Sequence, residues 1–285
     1  MSLVQQSDPV QQPDPEAEPV RVTAVSGSGR RHLLLAPRKA EGSPIGTAQP
    51  PAGSGERTRA DGTGAMVTPS VAAGSALARR LEAAPAEEVV GWAVDLFGPR
   101  LSLVCSFQNC VLIDLATRVD PLVEFIFLDT GSHFAETLAF AGEVRTRYEL
   151  NLRVTTPGPD AEAWPCGSER CCEQRKVTPL NRAVAGQTAW MTGLKRVDTP
   201  DRATGPVVGW DCSRGLVNVN PLARWSHDDV ARYEADHRLP IHPSRHAGYS
   251  SIGCSPTTRP VSLFEDPRAG RWPGTGKTER GLHTT

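Results

Sequence analysis

Two consecutive strand–loop–helix units constrain this chain more than any other feature. Leu101 to Ser106 is a short apolar run, broken by Phe107-Gln108-Asn109 and followed by a helical pattern from Cys110 to Val119. Leu122 to Leu128 is a second, strongly apolar run that stops at Asp129-Thr130-Gly131, after which Phe134 to Tyr148 reads as a helix. Leu152 to Thr155 supplies a third strand. Strands that alternate with helices pack as a parallel sheet with right-handed crossovers. Such sheets bind ligands at the carboxyl ends of their strands, which puts Ser106–Asn109 and Asp129–His133 on one rim. The pattern continues with a helix from Lys176 to Ala185, strands at Ala189–Gly193 and Leu216–Pro221, and a helix over Ser226–His237 capped by Ser226. Upstream, Ser75 to Phe97 reads as helical, with Pro85 breaking or kinking it. The expected fold is α/β: a mostly parallel sheet flanked by helices, with a loop-rich C-terminal tail from Pro240.

Residues 1–65 are a different material, rich in Pro, Gly, Ser, Gln, Ala and Arg and nearly free of aromatics. Such a segment buries too little apolar surface to offset its ordering entropy, so it is expected to be a disordered extension. One α/β domain is expected over 66–285, and Met66 is a candidate true start. A net charge of −1 gives no argument for nucleic acid or an anionic membrane as partner. No apolar run is long enough to cross a membrane, and no signal pattern opens the chain. The expected location is the cytoplasm. There, clustered members of the seven cysteines favour metal binding or catalysis over disulfides.

Cys171 and Cys172 are adjacent and sit among charged neighbours, with Cys254 far along the chain. The pattern suits an iron–sulfur or zinc site, although such sites want four ligands; a set of unrelated thiols is the alternative. Cys166 lies just before the pair in a polar segment, whereas Cys105, Cys110 and Cys212 read as small apolar fillers. Lys195, Arg196 and Arg202 follow a strand end, where they form either an anion-binding rim or a solvated charge run. The loop Ser106–Asn109 could present backbone amides to an anion, but it lacks the glycines of known phosphate loops. His133 suits a hydrogen-bonding role as well as a catalytic one.

Several segments resemble one family closely. They are Phe127 to Thr137, Cys171-Cys172-Glu173-Gln174-Arg175-Lys176-Val177-Thr178-Pro179-Leu180, Thr192 to Asp198 with Arg202, Val219-Asn220-Pro221-Leu222, Gly248 to Cys254, and Lys277 to His283. Together they resemble the sulfonucleotide reductases, specifically the bacterial adenylyl-sulfate reductases of the iron–sulfur type. That resemblance implies an adenine-nucleotide α-hydrolase-like fold and adenosine 5′-phosphosulfate, or its 3′-phosphorylated form, as substrate. It also implies a 4Fe-4S cluster held by a Cys-Cys pair and a Cys-x-x-Cys pair, with thioredoxin as electron donor in sulfate assimilation. In the family, a cysteine of a C-terminal Glu-Cys-Gly-Leu-His motif attacks sulfur, releasing AMP, and thioredoxin then frees sulfite. Carried onto this chain, Cys171, Cys172 and Cys254 are cluster ligands. Lys176, Lys195, Arg196 and Arg202 face the phosphosulfate. Ser106, Gln108, Leu128, Asp129, Thr130 and Gly131 border the nucleotide, and His283 belongs to the covering tail.

The chain departs from that pattern in three places. Arg280 stands at the position of the nucleophilic cysteine, and a protonated guanidinium has no electron pair to offer. Thr257 replaces the fourth cluster ligand, with Cys166 as the candidate substitute, so the cluster is expected complete, incomplete or absent according to that ligand. The segment before Cys171 is shorter than in relatives. The primary expectation is an adenylyl-sulfate reductase family protein. The alternative is a divergent paralogue that binds an adenine sulfonucleotide, with or without a three-cysteine cluster, and has no reductase activity.

Overall fold

The computed structural model describes residues 71–275, 277, 279 and 282. Arg280, His283 and the expected disordered extension at 1–65 lie outside the described residues.

The chain enters through α1 (Val71–Ala83) and α2 (Ala86–Phe97). Of the two outcomes expected at Pro85, a break or a kink, the structure has the break. Pro85 sits at the N-cap of α2 with extended backbone (φ −58, ψ 153), which ends the first helix outright. Then come β1 (Leu101–Cys105), α3 (Val111–Val119), β2 (Glu124–Leu128), α4 (Ala135–Tyr148) and β3 (Leu152–Thr155). A π-helical turn over Glu173–Val177 leads into α5 (Thr178–Ala183), followed by β4 (Ala189–Thr192). The strands β5 (Val208–Asp211) and β6 (Leu216–Val219) precede α6 (His227–Asp236) and the short α7 (Pro243–His246). Strand β5 was not anticipated; it is a short edge strand containing Gly209. Ser226 closes α6 with a capping box to Asp229, as its sequence suggests.

The six strands form one sheet in the order β3-β2-β1-β4-β6-β5. All neighbours are parallel except β5, which pairs antiparallel with β6. Side chains alternate across the sheet. Phe125, Phe127, Ala189 and Met191 face a core shared with α2, α3 and α4, and Ile126, Leu128 and Trp190 face a second core under α5. Burial on both faces explains why β2 reads as an unbroken apolar run. Beyond β1 the strand order changes direction, with β2 on one side and β4 on the other. The loops leaving these strands diverge there, which opens a crevice at their carboxyl ends. Among the described residues no helix is long and apolar enough to cross a membrane.

Candidate functional site

A cleft opens at that switch point. Ser106, Gln108 and Asn109 line it from the end of β1, Leu128 and Thr130 from β2, and Gly193, Leu194 and Lys195 from β4. Leu112, Ile113, Phe127, Trp190 and Ile252 give it an apolar wall. Cations line it too: Lys176, Lys195, Arg202, Arg268 and Arg271 outnumber the carboxylates of Asp198 and Glu279.

The loop after β1 is held in an unusual shape. Phe107 is fully buried with φ +54, a left-handed conformation costly for a bulky residue, and its ring packs edge-on against Phe127. Gln108 Oε1 accepts from the Ile252 amide at 3.2 Å, and Asn109 Oδ1 from the Val111 amide at 3.3 Å. The end of β4 is tied to β6, since the Thr192 hydroxyl donates to Asn220 Oδ1 at 2.7 Å and Asn220 Nδ2 donates to the Pro206 carbonyl.

The cations differ in what holds them. Lys195 pairs with Asp198 at 3.2 Å, and Arg202 pairs with both Asp198 and Glu279. Burial pushes the Glu279 carboxyl up, but Arg202, the Thr199 hydroxyl and Arg268 outweigh it and hold it below the usual range. Lys176 is buried, carried into the cleft by the π-helical turn, a winding often found at functional sites. Arg271 is 6% exposed and lies over the Trp272 ring, yet its Nε and Nη2 have no hydrogen-bond partner among the described residues. A Cβ at Gly253 would overlap this guanidinium, so a larger residue there would force the Arg271 side chain to shift.

Three expected site residues face elsewhere. Arg196 donates to Glu82 on α1 and to the Gly205 carbonyl, so it braces the fold beside the cleft and does not line it. Asp129 accepts the Gly131 amide at 2.9 Å, which shapes the turn after β2, and neither residue lines the cleft. His133 is on the cleft, where Nε2 donates to the Leu128 carbonyl at 3.0 Å and Nδ1 is buried without a partner among the described residues. Cys105 is a cleft-lining residue, not simply a core filler, and burial pushes its thiol far up. Cys110 is a buried filler, whereas Cys212 is exposed. Arg268 and Arg271 were missed, because they lie in a tail with no periodicity to mark them.

Beside the cleft, four thiols from three segments come together. The Sγ atoms of Cys171 and Cys172 are 3.8 Å apart, and Cys166 Sγ lies 3.9 Å from the hydroxyl of Thr257, three residues past Cys254. Donors point at these sulfurs: the Gly167 amide to Cys171 at 3.4 Å and Lys277 Nζ to Cys172 at 3.3 Å. Thr130 Oγ1 lies 3.5 Å from Cys254 Sγ. Among the described residues no three His, Cys, Asp or Glu side chains are gathered to hold a single metal ion. Arg175 joins this corner to the cleft, donating to the carbonyls of Thr130, Ala161 and Trp164 at 2.8–2.9 Å. A bridge between His133 and Cys254 makes the same connection through the backbone.

The chain is similar to known proteins. An adenosine 5′-phosphosulfate reductase of Streptomyces coelicolor is 44% identical over 214 residues, covering 72% of this chain and 91% of that protein. One from Mycobacteroides abscessus is 40% identical, covering 73% and 92%. The crystal structure of a phosphoadenylyl-sulfate reductase from Candida auris, a phosphate complex, superposes with a TM-score of 0.58 at 26% identity, covering 65% of this chain and 95% of that one. Residues 100–260 match the family described as the phosphoadenosine phosphosulfate reductase domain, and the chain belongs to that family.

Proposed function

We propose that this chain acts on adenosine 5′-phosphosulfate as a reductase of sulfate assimilation, in the reducing cytoplasm. The observation that carries this reading is a cleft lined by both apolar and cationic side chains, with a buried Arg271 guanidinium whose Nε and Nη2 are unpaired among the described residues. An adenine ring suits the apolar wall, and a phosphosulfate suits the cations. The relatives at 40–44% identity are named for the substrate without a 3′-phosphate, which favours that form.

The four thiols suit a 4Fe-4S cluster. Iron–sulfur clusters take all-cysteine ligand sets, and N–H groups directed at sulfur help to set their properties. Held by these thiols, such a cluster would contribute to the electrostatic field of the neighbouring cleft. The residues of this chain do the rest. Lys176, Lys195, Arg202, Arg268 and Arg271 offset the charge of the phosphosulfate and of the departing phosphate. Leu128 and Trp190 exclude water from the base.

The attacking thiolate has to come from outside the chain. Arg280 offers no electron pair, and Cys105, the one cysteine on the cleft wall among the described residues, stays protonated. A dithiol reductant such as thioredoxin supplies it. Its first thiolate bonds to sulfur, the sulfur–oxygen bond to phosphate breaks, and AMP leaves with that electron pair. The sulfonyl group then rides on the reductant as a thiosulfonate. The second thiolate attacks the sulfur that carries it, a disulfide forms, and sulfite departs. Two electrons pass from the dithiol to the substrate.

The test is sulfite and AMP formation from adenosine 5′-phosphosulfate with thioredoxin, for wild type and Arg280→Cys. Wild type should release sulfite slowly and only with dithiol. Arg280→Cys should be faster by about tenfold or more, because the attack becomes intramolecular. If wild type binds the nucleotide yet makes no sulfite with saturating dithiol, the reductase reading falls and a sulfonucleotide-binding role replaces it.

A further inference from the structure

We propose that Cys166 is the fourth protein ligand of the iron–sulfur cluster, in place of a cysteine at position 257. This rests on the cluster reading above. Seven cysteines are spread along the chain, and the fold brings together Cys166, Cys171, Cys172 and Cys254 while leaving Cys105, Cys110 and Cys212 elsewhere. Four thiols are the number an iron–sulfur cluster takes. The position of Cys166 is specific. Its Sγ lies 3.9 Å from Thr257 Oγ1, so its thiol already occupies the space in front of that residue. Thr257 in turn is tied to Cys254, its amide donating to the Cys254 carbonyl at 3.1 Å.

The local backbone holds it there. Gly167 follows with φ +102, which glycine adopts at little cost and which folds the segment back on itself. Its amide then donates to Cys171 Sγ, and a Cβ on it would lie 3.6 Å from the Thr257 methyl. The turn at Cys166-Gly167 therefore packs on both Cys171 and Thr257. Arg175 fixes the base of this segment through the carbonyls of Ala161 and Trp164. Cys166 keeps partial access to solvent while the other three thiols are buried, which gives iron a side from which to enter. Thr257 contributes only a hydroxyl, a poor ligand for iron beside a thiolate.

The experiment measures iron, acid-labile sulfide and the visible absorbance of the full chain, purified without oxygen. Wild type should hold about four irons and four sulfides. Cys166→Ser should fall to about three irons or fewer, with an altered spectrum. The double variant Cys166→Ser with Thr257→Cys should regain the fourth iron, because it moves the thiol to the neighbouring position. Cys166→Ser with four irons and an unchanged spectrum overturns the proposal and leaves the cluster reading standing. Failure of the double variant to regain iron also overturns it. Wild type without iron or sulfide overturns the cluster reading itself.

Discussion

Two buried charges in this protein sit in opposite circumstances. Asp114 on α3 is 5% exposed and accepts from Arg118 Nε at 2.6 Å, the Tyr233 hydroxyl at 2.8 Å and the Tyr148 hydroxyl at 3.3 Å. Arg271 is 6% exposed, and two of its nitrogens have no partner among the described residues. Asp114 ties α3 to α4 and α6, and its acceptor capacity is used. Arg271 stands on the cleft with donors to spare. A buried charge that is satisfied holds a fold together; one left open is costly until a ligand of opposite charge arrives.

The contrast is broken most severely at Asp114. Asp114→Ala leaves two tyrosine hydroxyls and a guanidinium without their acceptor. It should lower stability by about 2–3 kcal/mol, and the melting temperature by roughly 5–10 °C, with nucleotide affinity unchanged. A calorimetric scan that finds no loss would remove Asp114 from the architecture. Arg271→Ala should do the reverse. Affinity for adenosine 5′-phosphosulfate should weaken about 10- to 100-fold, the worth of a charge-assisted bond, while the melting temperature holds or rises. A binding titration showing equal affinity would mean that the open nitrogens serve something other than this ligand. Arg196→Ala is the smallest change. Its pair with Glu82 is partly exposed at both ends, so it should cost under about 1 kcal/mol and leave binding intact. Weaker binding in Arg196→Ala would return that residue to the site.

Those three residues also mark how far the sequence can be read. The strands β1, β2, β4 and β6 were visible because apolar runs bounded by turns have a local cause. Strand β5 was not, since Val208-Gly209-Trp210-Asp211 lies at an edge, half exposed, and its partner β6 defines it. Pro85 signalled a break, but its strength depends on where the second helix packs. At the site, Lys195 and Arg196 are neighbours in sequence, and only the fold separates them: one faces the cleft and the other faces α1. Arg268 and Arg271 carry no local signal, because residues in an irregular tail acquire a direction only from what the tail docks against. The thiols were found as a pattern, yet the contact between Cys166 and Thr257 joins residues far apart in the chain.

Arg175 has a consequence for motion. Loops at a sheet rim ordinarily open singly, since few contacts hold each one. Here one planar guanidinium binds the carbonyl after β2 together with two in the segment ahead of the cysteine pair. Three bonds from a rigid fork set orientation as well as distance. The rim of the cleft and the thiol corner should therefore open together, with amide-hydrogen exchange around Thr130 keeping pace with exchange around Trp164.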